Sequence, residues 1–227
     1  MCFPHAGGSA SYFYGVSAAL SPALDVLAIQ YPGRQDRRSE PVLRTIDELA
    51  QQAVDALRPW SDRPLVLFGH SMGALISFEV ARKLEAESAG PLSLVVSGCR
   101  APSRYRQDPL HLSSDDVLLA EIERLEGTDS RLMDDEELRA LFLPALRGDY
   151  EAVATYRHRP GNPLNCPVLA MVGDKDPKAG VDDVDAWRDH TRESCETRVF
   201  TGGHFYLTSH AAAVTETVRR HVEELSS

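Results

Sequence analysis

Five residues, Gly69-His70-Ser71-Met72-Gly73, constrain this chain more than any other stretch, because they join the apolar run Leu65-Val66-Leu67-Phe68 to a helical run that starts at Ala74. A strand that turns straight into a helix lifts the serine hydroxyl clear of the sheet, and glycines on either side let the backbone close so tight a turn. Ser71 is therefore a candidate nucleophile, and the run before it must be one strand of a sheet.

The rest of the chain supplies that sheet. Short apolar stretches at 1–3, 26–29, 65–68, 92–96, 168–172 and 197–200 alternate with helical patterns, which predicts an α/β fold with a mostly parallel central sheet flanked by helices. The clearest helix runs from Ile46 to Leu57, where Ile46, Leu49, Ala50, Ala53, Val54 and Leu57 share one face at 3.6-residue spacing. Thr45 and Glu48 form a capping box before it, and Pro59 closes it. Val214, Val218, His221, Val222 and Leu225 make a second stripe near the C-terminus, which puts His221 at a core edge rather than at a ligand. The chain opens directly on a strand leading into His5-Ala6-Gly7-Gly8, so any earlier edge strand is expected to lie outside the given sequence.

With 227 residues and 43% hydrophobic content, the chain suits a single domain over 1–227. No apolar stretch approaches the roughly 20 residues of a membrane helix, and nothing N-terminal reads as a signal peptide. The expectation is a cytoplasmic protein that does not engage membranes. Cys2, Cys99, Cys166 and Cys195 form no C-x-x-C pair, which favours reduced, buried thiols over disulfides or a zinc site. A formal charge of −10 argues against nucleic-acid binding, which needs a basic field.

One segment breaks the alternation. Between Ser97 and Val168 the chain is too long for a plain connection. Val117, Leu118, Ile122 and Leu125 suggest one amphipathic helix within it, and Leu138, Leu141, Phe142, Ala145 and Leu146 another, so the segment reads as a helical lid.

A serine nucleophile needs a base, and the base needs a carboxylate that fixes its tautomer. His204, in Thr201-Gly202-Gly203-His204-Phe205, follows the last strand on a glycine-loosened loop, and Asp176, in Gly173-Asp174-Lys175-Asp176-Pro177, follows an apolar strand. The order Ser71, Asp176, His204 is that of an α/β-hydrolase. Asp174 is the rival acid and is assigned a turn-forming role; the loop Ser97–Pro102, another place for the acid on this fold, holds no carboxylate. His70 should point away from Ser71 and support the turn, while His111, His158, His190 and His210 have no comparable setting. The backbone N–H groups of Met72 and Ala6 are the candidate oxyanion donors. A phosphate loop at Gly7-Gly8 is disfavoured, since neither G-x-G-x-x-G nor G-K-[ST] is present.

Taken together, Phe3-Pro4-His5-Ala6-Gly7-Gly8-Ser9-Ala10, Tyr31-Pro32-Gly33-Arg34 with Arg37, Gly69-His70-Ser71-Met72-Gly73-Ala74, Gly173-Asp174-Lys175-Asp176-Pro177 and Gly202-Gly203-His204-Phe205-Tyr206-Leu207 resemble the type II thioesterases of polyketide and nonribosomal peptide synthesis. The resemblance implies a discrete hydrolase that clears unwanted acyl groups from the phosphopantetheine thiol of acyl or peptidyl carrier proteins. It also implies a mobile lid over about residues 104–159 bounding an acyl chamber, whose volume would depend on side chains such as Leu119, Met133, Phe142 and Tyr150. No cofactor or metal is expected, and the enzyme is read as a monomer. Carrier proteins are usually acidic, so docking is assigned to local basic clusters at C-terminal strand ends: Arg34, Arg37 and Arg38, or Arg100, Arg104 and Arg106. The competing readings are a small-molecule carboxylesterase or lipase, an acyltransferase, and a catalytically silent carrier-binding module.

Overall fold

The run that enters the pentapeptide is a strand, and its neighbours decide where everything else lies. In the computed structural model, which describes residues 1–104, 106, 109–125 and 135–225, five parallel strands stand in the order β1 (Cys2–Phe3), β2 (Val66–His70), β3 (Ser93–Ser97), β4 (Val168–Gly173) and β5 (Cys195–Phe200). The helices are α1 (Tyr14–Leu20), α2 (Ile46–Leu57), α3 (Met72–Ala86), α4 (Asp115–Arg124), α5 (Glu136–Thr155), α6 (Val181–Asp185), α7 (Tyr206–Ser209) and α8 (Ala211–Leu225).

Residues alternate between the two faces of the sheet, as the two-residue period of a strand requires. Leu67, Leu94, Val96, Ala170 and Val172 pack with α2 and α3 on one face, around the fully buried Trp187. Phe68, Val95, Leu169 and Met171 pack with Phe13, Tyr206, Val214 and Val218 on the other. Strands β3 and β4 are buried throughout because helices cover both faces. β5, at the edge, leaves Glu196 and Arg198 exposed, charges that discourage pairing with a foreign strand.

The expected strand at 26–29 is not formed. Only a single bridge pairs Ala28 with Cys2, through Cys2 N–H to Leu27 O (2.7 Å) and Ile29 N–H to Cys2 O (2.9 Å). The ladder stops there because the next donor on β1's side would come from Pro4, which has no N–H. The bridge nevertheless puts this segment outside β1, after which the chain returns through α2 to β2 on the other side. The switch in direction falls between β1 and β2, so their C-terminal ends flank the crevice where open α/β sheets bind ligands.

In the long connection between β3 and β4, helices α4 and α5 form around Leu118, Leu119, Ile122 and Leu146, with Phe142, Leu143 and Tyr150 alongside. The apolar stripes expected there are only partly buried: Val117, Leu138 and Leu141 face outward. Pro144, inside α5, marks the change. Beyond it Ala145, Leu146, Gly148, Asp149, Ala152 and Ala154 are buried, whereas the turns before it are largely exposed.

The four cysteines are free thiols, and Cys2, Cys99 and Cys166 are buried. His221 sits half-buried with Nε2 2.7 Å from Ser93 Oγ, at the core edge as expected. Among the described residues no helix is long and apolar enough to cross a membrane.

Helix α2 starts at its expected N-cap, Thr45, but only half of the capping box forms, because the Glu48 carboxylate takes the Thr45 hydroxyl in place of the Thr45 backbone N–H. The Glu48 N–H donates to Thr45 Oγ1 (3.2 Å), and the Thr45 hydroxyl donates to the Glu48 carboxylate (2.7 Å). Thr45→Ala leaves that N–H without its partner and should cost about 1 kcal/mol. For a chain of this size the thermal midpoint should fall by about 2–4 °C, measurable by calorimetry.

Candidate active site

β2 ends at His70, α3 begins at Met72, and Ser71 between them has φ 55° and ψ −118°. Few non-glycine residues adopt that region, and it aims the serine side chain off the end of the sheet. Its N–H donates to Ser97 O of the adjacent strand (2.8 Å). Gly73 lets α3 close against β1: a Cβ there would stand 2.0 Å from the Phe3 carbonyl oxygen, far inside contact. The glycine is required for approach, and it brings the elbow beside the loop that follows β1.

Ser71 Oγ lies 3.0 Å from His204 Nε2, and His204 Nδ1 lies 2.8 Å from Asp176 Oδ2 and 3.0 Å from Oδ1. The carboxylate can only accept, so Nδ1 carries the ring proton and Nε2 is left as an acceptor for the serine hydroxyl. Both His204 and Asp176 are buried. Asp176 is itself held, accepting from Lys178 N–H at 2.8 Å and Ala179 N–H at 3.3 Å. Asp174 is exposed and takes the other role assigned to it, accepting from Gly202 N–H (2.8 Å) and so pinning the loop that carries His204.

His70 turns away from Ser71 beneath this chain. Its Nδ1 lies 3.2 Å from Ser97 O and 3.0 Å from Ser97 Oγ, and its ring stands 5.1 Å from that of His204. His5, Tyr12 and Phe205 complete an aromatic packing around it.

Residues His5 to Gly8 form a β-turn closed by Gly8 N–H to His5 O (2.9 Å), with Gly7 at φ +75° in its third position. That is a type II turn, which asks for glycine there. The Ala6 N–H finds no acceptor among the described residues. Met72 opens α3, where a helix N–H has no partner within its own helix. Ala6, Met72, Ser71 and His204 all line one cavity of about 530 Å³. Its far wall is apolar, built from Leu75, Ile122, Leu125, Phe142, Val153 and Tyr156.

A nucleophile, its base and two spare N–H donors opening on an apolar cavity suit acyl transfer. A thioesterase-domain family profile matches residues 1–222. The chain belongs to the thioesterase family. With its parallel sheet and elbow serine it is a type II thioesterase of the α/β-hydrolase superfamily. It is 52% identical over 209 residues to the thioesterase PikA5 of Streptomyces venezuelae, covering 91% of this chain and 74% of that protein. A probable cadicidin biosynthesis thioesterase of Streptomyces griseus is 48% identical over 214 residues, 94% of this chain, and the chain spans 59% of its length. Among solved structures, the type II thioesterase BorB from the borrelidin biosynthetic cluster superposes with a TM-score of 0.91 at 49% identity, covering 97% of this chain and 90% of BorB.

Within this thioesterase the other expected site residues scatter. Phe142 and Tyr150 line the cavity, whereas Leu119 turns into the contact between α4 and α5 and leaves Ile122 and Leu125 to face the space. Met133 lies outside the described residues. Arg100 and Arg106 line the cavity and Arg104 is exposed nearby; Arg100 donates through Nε to Lys178 O (3.0 Å), and Arg106 pairs with Asp183 (2.9 Å). Arg37 is engaged by Glu40 and Gln30 O, Arg38 is exposed, and neither reaches the cavity.

Arg34 corrects the docking assignment. It is buried, forked onto Asp149 of α5 by Nη1–Oδ2 (2.6 Å) and Nη2–Oδ1 (2.8 Å), and offers nothing to a partner's surface. A charged group enters a core only when paired, and its pair lies 115 positions along the chain, where no local pattern could announce it. Asp149, Lys178 and Tyr156 were all missed by sequence reasoning. Asp149 alone carried a signal: it sits at helical spacing from Ala145, Leu146, Ala152 and Val153, a carboxylate in the middle of an apolar stripe.

Buried imidazoles make the fold sensitive to acid. Burial, and then the nearby His204 and Arg34, push His5 from 6.5 down to about 3; burial and then His158 push His190 to about 4; burial above all holds His70 well below its ordinary value. The unfolded chain takes up these protons near 6.5 and the native chain does not, so the stability they contribute is complete above 6.5 and lost as the pH falls towards 4 and 3. Each contributes at most about 1.4 kcal/mol per pH unit within its window. Urea midpoints should fall progressively from pH 7 to pH 5; a flat profile would contradict neutral burial.

Proposed function

We propose that this chain is an editing thioesterase that hydrolyses acyl groups from the phosphopantetheine arm of acyl or peptidyl carrier proteins. The observation that carries the reading is the unbroken hydrogen-bonded chain from Ser71 through His204 to Asp176, opening on an apolar cavity of about 530 Å³. Similar solved structures named for the yersiniabactin and colibactin NRPS/PKS pathways support the carrier as the source of the substrate.

Ser71 Oγ attacks the thioester carbon while His204 Nε2 takes its proton, and Asp176 stabilises the imidazolium that results. Charge builds on the former carbonyl oxygen, where the N–H groups of Ala6 and Met72 receive it. Collapse expels the pantetheine thiolate, to which His204 returns the proton, leaving an acyl-serine. Water activated by the same imidazole then releases the acid. The acyl chain occupies the apolar wall of α4 and α5, with the segment from about 104 to 159 acting as the lid.

Ser71→Ala should reduce release of free thiol from an acyl-loaded carrier by about 10⁴-fold or more while the thermal midpoint holds. A panel of acyl carriers of graded chain length, run beside the matching simple oxygen esters, distinguishes this reading from a general carboxylesterase: preference for the esters would overturn it.

The carrier docks at the cavity mouth, where Arg104 and Arg106 lie at the surface. Net charge disfavours long-range attraction to an acidic carrier, but screening within about 8 Å leaves the encounter to nearby cations. Reversing both, Arg104→Glu with Arg106→Glu, should lower kcat/KM for carrier-bound substrate about tenfold at low salt and spare a small acyl-pantetheine thioester. Arg100 is left intact in that test because it braces Lys178 O, two residues from Asp176.

A further inference from the structure

The buried ion pair between Arg34 and Asp149 touches the loop after β1 at two consecutive residues. Asp149 Oδ2, which already accepts from Arg34 Nη1, also accepts the Gly7 N–H at 2.7 Å. Arg34 Nη1 in turn donates to Gly8 O at 3.1 Å. On the other side of Ala6, the Tyr31 hydroxyl donates to Pro4 O at 3.2 Å, and the Arg34 guanidinium lies 5.3 Å from the Tyr31 ring. Asp149 is fully buried and Arg34 nearly so, and the second arm of the fork, Nη2 to Oδ1, holds one partner on the other.

From this geometry we propose that Arg34 and Asp149 are positioning residues for the oxyanion hole. In a type II turn the second and third residues point their N–H groups differently, and only the Gly7 N–H is captured, by Asp149; the Ala6 N–H meets no acceptor among the described residues, and Ala6 lines the cavity. With Pro4 O, Gly7 N–H and Gly8 O each tied to a buried side chain, the peptide carrying the Ala6 N–H cannot swing. A preorganised donor is worth far more than one that must reorient during the reaction. Two charges are used where neutral groups would serve less well, because a carboxylate takes two short bonds at one oxygen and the guanidinium fork keeps that oxygen in place. Asp149 belongs to α5, so the same pair fixes the inner half of that helix to the oxyanion loop.

The proposal rests on reading Ala6 as an oxyanion donor, and its test avoids the thioester substrate. A fluorophosphonate is attacked by Ser71 Oγ at phosphorus with loss of fluoride, and its transition state places charge in the same hole. Second-order labelling rates are measured on the full chain for Asp149→Asn and for the double variant Arg34→Met with Asp149→Leu. Beside them runs the Kd of a non-hydrolysable acyl-pantetheine thioether, which binds the cavity without building an oxyanion. Thermal unfolding identifies the folded variants. An apolar pair of similar size often preserves stability when a buried ion pair is removed, so the double variant separates positioning from folding.

The expected result is a labelling rate at least tenfold lower for Asp149→Asn and about a hundredfold lower for the double variant, with thioether Kd within about twofold of the parent. Folded variants that label at the parent rate overturn the proposal, as does a loss of thioether affinity by the same factor as the labelling rate, which would mark a collapsed cavity. If the double variant does not fold, Asp149→Asn decides alone. Failure of the parent chain to label at all would strike the serine-hydrolase reading beneath it.

Discussion

The backbone of Ser71 is held at φ 55°, a conformation that costs a non-glycine residue about 1–3 kcal/mol and survives only where its surroundings over-determine it. Here β2 is paired on both sides, by β1 and β3, and α3 is pressed against the Phe3 carbonyl through Gly73. Relaxing the turn would break the ladder to β3 at Ser97 and open the contact with β1. The energy stored in one residue is thus supplied by the burial of a whole sheet, and the serine hydroxyl emerges where the two neighbouring strands also end.

Convergence at that edge explains why so many polar groups can be buried there. Asp176, His204, His70, Arg34 and Asp149 are all withdrawn from water, and each has a specific partner: backbone N–H groups for Asp176, Ser97 for His70, a fork for Arg34. In a low-dielectric setting such bonds are strong when made and costly when missing. The neutral imidazoles of His5 and His70 fit the same logic, since a second cation beside His204 would oppose the proton His204 must accept. Surface charge follows other rules, and the pairs of Arg219 with Glu216 and Glu223 on α8 are exposed and contribute little.

Motifs confined to a few neighbouring residues were legible in the chain. The elbow, the N-cap of α2, the glycine loop of His204 and the choice of Asp176 over Asp174 all depend on local geometry or chain order, and each appears where expected. Errors arose where the deciding partner was remote. The segment 26–29 has strand composition but meets a two-residue β1 followed by Pro4, so its ladder stops after one bridge. Val117, Leu138 and Leu141 complete helical stripes on paper, yet they face outward: the fully buried residues of α5 all lie beyond Pro144, with Phe142 and Leu143 only partly buried before it. Arg34 reads as one of three surface arginines until Asp149 is found against it.

By itself the sequence determined the α/β alternation, the order of nucleophile, acid and base, and the two glycine-bearing turns, because these follow from periodicities and dihedral limits within a few residues. Only the tertiary structure decided which arginine is buried, which side chains face the cavity, and that a carboxylate on α5 holds the turn at Gly7. Those outcomes depend on packing between segments more than a hundred positions apart, where burial turns a solvated charge into a fixed one and no local pattern records the partner.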